Sequence, residues 1–296
     1  MRITATLNII GKLFGEEKAL GMIAAGGYDC VDFSLVGMVK DDDPWLRSDY
    51  RERAERIVGI CKENRLAVGQ AHAPWHFRWA DEACARDIAI PRTIRSMEIA
   101  ALLGAPVIVI HPLHHLRYRE YGTLELERNL AFYRQLQPYA ERFGIQIALE
   151  NMFQNDENGS PCRDVYADAG EFSRALDLLG DDSVFTACVD AGHCNLTKCC
   201  TPAEMIRALG HDRVRVVHLH DNDGIRDSHT LPYLGNLDWD DVCAALRDIG
   251  YAGDLGMEIQ GGYYARFTDP QLMTEAIRLA AATGRRLAEK IENPQI

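Results

Sequence analysis

The 296-residue sequence has no stretch near the roughly 20 consecutive apolar residues that a membrane span needs. Its apolar start, Ile3-Thr4-Ala5-Thr6-Leu7, is interrupted by Asn8 before a signal-peptide core develops. No two of the nine cysteines stand at the two-residue gap of a zinc ribbon or redox motif. Their number is odd and their spacing scattered, which predicts free thiols and a cytoplasmic location. Neither G-x-G-x-x-G nor a Walker-A pattern occurs, so the usual signature of an open nucleotide-binding sheet is missing. Basic residues are few: Lys and Arg number 32 against 44 Asp and Glu, a net charge of −12. That balance weighs against broad contact with nucleic acid or an anionic membrane, since both polyanions reward positive charge. No linker-like segment divides the chain, and a single domain over residues 1–296 is expected.

What the chain has is alternation. Short runs rich in Val, Ile and Leu recur at 3–9, 30–35, 66–71, 106–110, 145–149, 184–189, 214–219 and 255–259. They lack strict polar alternation, as strands covered on both faces do. Between them lie stretches of helical periodicity, including 50–65, 92–103, 124–143, 170–179 and 270–291. Gly104, Gly144, Gly250 and Gly253 mark helix ends just ahead of strands. Eight strand–helix repeats predict an α/β fold: a closed parallel (β/α)8 TIM barrel, with its active site at the C-terminal end of the strands.

The polar residues that terminate these runs form a series. The third to eighth strands carry His72, His111, Glu150, Asp190, His218 and Glu258 at their ends, at intervals of 39, 39, 40, 28 and 40 residues. In a barrel such positions converge on one rim. Three carboxylates packed there without a counter-charge would repel one another and lose hydration. A divalent cation removes that conflict, so the series predicts a metal site.

Three further segments belong to the same rim. Asp190 is followed by Ala191-Gly192-His193, which places an imidazole three residues on, in an expected rim loop. His218 is followed by Leu219-His220-Asp221-Asn222-Asp223-Gly224 and then by Arg226, Asp227 and His229. Asp227 and His229 are spaced to reach one ion or one substrate hydroxyl together, and Arg226 is a candidate substrate contact. Pro74-Trp75-His76-Phe77-Arg78-Trp79 follows His72; its aromatics suit either the cover of a sugar face or a subunit contact.

These motifs resemble the xylose-isomerase-like barrel superfamily of sugar isomerases, sugar epimerases and family-2 abasic-site endonucleases. The resemblance covers the whole chain. It rests on Ile110-His111-Pro112, Ala148-Leu149-Glu150-Asn151, Val189-Asp190-Ala191-Gly192-His193, the His218 to Gly224 segment with Asp227 and His229, and Met257-Glu258-Ile259. It implies that Glu150, Asp190, His218 and Glu258 hold one divalent cation, and that His193 faces the substrate. The nuclease branch implies further ions, one at His72 and His111 and another at His193, Asp227 and His229. The Asn222-Asp223-Gly224 stretch, with Leu231-Pro232 and Asp238-Trp239 behind it, looks more like the sugar isomerase/epimerase branch. Leu234-Gly235-Asn236 departs from that branch's usual turn.

Mixed oxygen and nitrogen ligation suits Mn, Co, Fe or Zn. In the expected reaction, a proton moves on the carbon beside a carbonyl of a small-molecule sugar or sugar phosphate. Glu150 and Glu258 serve as the acid/base pair, and the cation stabilises enediolate charge. His72, His111, Asp227, His229, Arg226 and Trp75 complete the candidate substrate-binding set with His193. Phosphodiester hydrolysis at abasic sites is the alternative, and a lyase acting like an inosose dehydratase shares the enediolate. Neither a nucleic-acid nor a membrane partner is expected; a homo-oligomer is compatible with family habit.

Overall fold

A computed structural model describes residues 1–293, so three residues of the expected 1–296 domain, 294–296, lie outside the described residues. The strands are β1 (Ile3–Thr6), β2 (Cys30–Ser34), β3 (Ala67–His72), β4 (Val107–Val109), β5 (Gln146–Glu150), β6 (Phe153–Asn155), β7 (Pro161–Arg163), β8 (Phe185–Asp190), β9 (Val214–His218) and β10 (Leu255–Met257). Eight of them close a parallel barrel in the order β1-β10-β9-β8-β5-β4-β3-β2, with β1 pairing both β10 and β2. The expected (β/α)8 barrel is what forms. Burial explains the strand composition: Val107, Val109, Ala148, Cys188 and Val216 of β4, β5, β8 and β9 form one buried cluster, while Ile108, Ile147 and other side chains of the same strands pack with the helices.

The helices expected from periodicity are present, with Tyr50–Glu63, Ile90–Leu102, Ala169–Leu179 and Pro270–Glu292 near the read boundaries. The first strand is shorter than expected. The chain turns into helix Asn8–Phe14 after Leu7, and Asn8 is held over the rim by donating to Gln260 Oε1 at 2.9 Å. Helix Tyr118–Phe143 begins six residues earlier than its periodicity indicates. A non-helical Tyr121 (φ −126°, ψ 16°) breaks the pattern there. Its first turns are fixed from below: buried Glu125 accepts the N–H groups of His115 and Leu116, and Asn129 brackets Leu113 through both its oxygen and its nitrogen.

β6 and β7 form a separate antiparallel hairpin over the rim, pairing Phe153 with Arg163. Its turn, Asp156 to Ser160, contains Asn158-Gly159 with Gly159 at φ +77°, a conformation that suits glycine. Among the described residues, no helix is long and apolar enough to cross a membrane.

Candidate metal centre

Barrel register brings the strand-end residues together. Asp190 on β8 lies directly beside His218 on β9, and His218 in turn lies beside Gly256, two residues before Glu258. Glu150, at the end of β5, pairs with Cys188 of β8. The result is a buried quartet of Glu150, Asp190, His218 and Glu258, each offering a ligand atom within 4.8 Å of the others. His218 Nδ1 stands 3.2 Å from Glu150 Oε1, 3.5 Å from Glu258 Oε2 and 3.7 Å from Asp190 Oδ2. Its Nε2 meets the Gln70 side-chain amide at 3.0 Å, which orients the ring.

Neighbouring imidazoles set the charge state of two of the carboxylates. Burial would push the Glu150 carboxyl up, but the His111 and His218 imidazoles hold it well below the usual carboxylate range. Burial acts the same way on Asp190, and His193 and His220 reverse it, bringing it to about 2. Glu258 Oε1 accepts from Gln260 Nε2 at 3.0 Å, whereas its buried Oε2 makes no hydrogen bond. A buried carboxylate oxygen with no donor, 3.5 Å from an imidazole nitrogen that faces two more carboxylates, fits a divalent cation.

His72 and His111 flank the quartet. His72 donates from Nδ1 to buried Asp32 at 2.9 Å, and its ring stacks on His218 with centroids 4.8 Å apart. Its Nε2 makes no hydrogen bond and lies 3.9 Å from Glu258 Oε1. His111 Nε2 stands 3.0 Å from Glu150 Oε2.

On the other side lies a second cluster of His193, His220, Asp227 and His229. The segment after Asp190 is not the expected rim loop but the short helix Ala191–Thr197, with Asp190 as its N-cap accepting from the His193 N–H at 2.7 Å. His193 Nδ1 donates to the Asn151 carbonyl at 2.8 Å, which turns Nε2 toward Asp227, 3.7 Å away. Burial pushes the His193 imidazolium down, but Asp190 and Asp227 more than reverse this. His229 Nδ1 donates to the Glu258 carbonyl at 3.0 Å, and its Nε2 donates to Asp227 Oδ2 at 2.9 Å. Burial lowers His229 and Glu258 with Asp227 raises it, to about 9.

His220 was absent from the expected site set. It is fully buried, approaches both Asp190 oxygens with Nε2 at 3.1 Å, and stacks on His229 at 3.9 Å. Gly192 is the residue on which the His220 ring rests, and a Cβ there would come within 2.0 Å of Cε1.

Above the quartet is a cavity of about 490 Å³. Glu150, His193, Asp227, His229 and Glu258 form its floor, and Asn8, Trp75, His76, His114, Phe153 and Gln260 stand in its walls. Trp75 sits against His111 and stacks on His114, and Asp164 anchors the His114 ring at 3.1 Å. Phe153 of the hairpin packs on His193, with centroids 5.1 Å apart. Arg226 is not brought to the site. Its side chain is 83% exposed and faces Asp223, because Asp223 caps the turn with its carboxylate and directs the following residues outward.

The profile of the family described as "Xylose isomerase-like TIM barrel" matches residues 21–283. The chain belongs to that family. An uncharacterised protein of Sinorhizobium fredii is 30% identical over 167 residues, 55% of this chain and 50% of that protein, so the chain spans half the length of that relative. Among solved structures, a D-tagatose 3-epimerase-like protein superposes with a TM-score of 0.74 at 18% identity, covering 100% of both chains. A D-psicose 3-epimerase crystallised with D-fructose gives 0.72 at 16%, covering 97% of this chain and 99% of that one. An IolI protein with a zinc atom gives 0.68 at 15%, covering 100% and 99%. At these identities the likeness to solved structures is one of fold.

Proposed function

We propose that the protein is a divalent-metal-dependent sugar isomerase or epimerase. The observation that carries the reading is the buried quartet of Glu150, Asp190, His218 and Glu258, with Glu258 Oε2 left without a donor. These four residues would hold one cation, Mn, Co, Fe or Zn, which supplies Lewis-acid stabilisation of charge on substrate oxygens.

The remaining chemistry belongs to the chain's own side chains. Glu150 and Glu258 arise on strands from different sides of the barrel, so each addresses a different face of a substrate seated between them. One removes a proton from the carbon beside a carbonyl and the other returns it on the same or the neighbouring carbon. The His111 and His218 imidazoles beside Glu150 hold its carboxyl ionised, which suits it to the proton-accepting role. His193 directs Nε2 into the cavity, where it hydrogen-bonds a substrate hydroxyl or the developing oxyanion, and Asp227 with His229 receives a further hydroxyl.

The walls favour an uncharged sugar. Among the described residues, no Lys or Arg lines the cavity. Burial and the neighbouring His114 and His111 push His76 down to about 4, leaving that wall neutral. Trp75 and Phe153 offer apolar surface to the C–H face of a sugar ring or chain and keep bulk water out. A panel of ketoses, ketose phosphates and inososes, incubated with Mn²⁺ in deuterated water, tests the reading. Exchange at a carbon beside the carbonyl of a neutral ketose is expected. No exchange in any member of the panel, with the cation bound, overturns it.

The two clusters beside the quartet, His72 with His111 and His193 with His220, Asp227 and His229, also favour a hydrolytic reading with additional ions. Incubation with an abasic-site oligonucleotide decides between them: specific nicking establishes hydrolysis in place of proton transfer.

A further inference from the structure

His220 stands where the two clusters meet. Its side chain is fully buried, and the described residues lining the sugar cavity include His193, Asp227, His229 and Glu258 but not His220. A substrate seated in that cavity meets its neighbours rather than its ring.

Two of those neighbours belong to different halves of the site. Nε2 lies 3.1 Å from each Asp190 oxygen. Facing a carboxylate, Nε2 is the nitrogen that carries the hydrogen, and the two oxygens share it. Asp190 Oδ1 also accepts from the His193 N–H at 2.7 Å, so the carboxylate cannot turn without giving up a donor. The face of the His220 ring stacks on His229, with centroids 3.9 Å apart and planes 16° from parallel. His229 in turn reaches the Glu258 carbonyl and Asp227 Oδ2, so the stack sets the tilt of an imidazole in the cavity floor.

The seat of the ring is fixed as well. Gly192, which makes room for it, has its carbonyl held by Asn222 Nδ2 at 3.0 Å. One feature of the ring costs stability: Nδ1 is buried without a partner, a loss of hydration that an apolar side chain of similar shape would avoid. Packing alone therefore gives no reason for an imidazole here, whereas the donor at Nε2 and the flat face together do.

We propose that His220 is a positioning residue that ties the two clusters together: its Nε2 fixes Asp190 for the cation, and its ring face fixes His229 for the substrate. The inference rests on the proposed cation site. The two contributions use different parts of the imidazole, so they can be separated. Phenylalanine keeps a flat ring and lacks the donor; glutamine carries an amide donor in place of Nε2 and lacks the ring.

The test compares His220→Phe and His220→Gln with the wild-type protein. In calorimetric titration with Mn²⁺ alone, H220F is expected to bind about tenfold more weakly and H220Q no more than about twofold. The KM of a neutral ketose that the wild type turns over, read at saturating Mn²⁺, is expected to rise more in H220Q than in H220F. Losses that run in parallel in both variants and follow Tm mark packing alone and overturn the proposal. Wild type that binds Mn²⁺ and H220F that binds it as tightly also overturn it, with the functional reading intact. Wild type that binds no Mn²⁺ overturns the functional reading and this inference with it. Imidazole nitrogen NMR of the wild-type protein decides the matter even where neither variant folds. His220 is expected to carry its hydrogen on Nε2 and to shift when Zn²⁺ is added; a hydrogen on Nδ1, or a ring that Zn²⁺ leaves unmoved, overturns the proposal.

Discussion

The quartet and the His193, His220, Asp227 and His229 cluster sit side by side on one rim, yet they are chemically opposite. The quartet sets three carboxylates against one histidine and leaves Glu258 Oε2 without a donor. The second cluster sets three imidazoles around one carboxylate, and its rings are held mainly by partners inside the protein: Asn151 O, Asp190, Glu258 O and Asp227. A surplus of buried negative charge asks for a cation, whereas the second cluster leaves Asp227 Oδ1 without a donor and so able to accept from a hydroxyl. On the proposed reading, the first group stabilises charge and the second orients the substrate.

The sharpest way to break this comparison is Glu150→Gln or Glu258→Gln. Either is expected to lower turnover by at least roughly 10³-fold while far-UV circular dichroism stays unchanged; full activity in both variants removes the acid/base assignment. Chelation comes next. If the cation neutralises the quartet, exhaustive treatment with EDTA is expected to lower Tm by on the order of 5–10 °C, recovered with Mn²⁺. An unchanged melting curve, together with no metal in elemental analysis of active protein, argues against the site. Asp227→Asn probes the second cluster: KM for a ketose is expected to rise about tenfold with bound metal unaltered, and stoichiometric loss of a second ion would instead make that cluster a metal site. Smaller still is Asp164→Asn. It weakens the anchor of His114 and with it Trp75, and a twofold to fivefold loss of kcat/KM is expected. Arg226→Ala is expected to leave both constants unchanged, as its exposed position requires.

The same contrast explains what was legible in the sequence. The quartet sits at the ends of strands, one residue per βα unit, and intervals of 40, 28 and 40 residues expose such positions without any structure. The walls come from segments with no such period. Helix Asn8–Phe14 hides behind apolar residues that resume after Asn8, because a single polar residue in Leu7-Asn8-Ile9 does not mark a turn until Gln260 is known to face it. The β6–β7 hairpin did carry a signal, Asn158-Gly159, but strands of three residues are too short for alternation to register. His220 was masked by its neighbours: in a run of His, Asp and Asn, only the three-dimensional contact with Gly192 separates the inward residue from those that cap the loop. Arg226 illustrates the converse, since adjacency to Asp227 in sequence says nothing about direction once a turn lies between them.

Asp190 ends β8 and starts the next helix with the same side chain, so its two oxygens are shared among the His193 amide, the His220 ring and a neighbouring imidazole nitrogen. Such a carboxylate cannot shift toward a bound ion without tugging on the opening turn of Ala191–Thr197. The deuterium uptake of the His193 amide is therefore a local gauge of occupancy, readable in intact protein without any substrate.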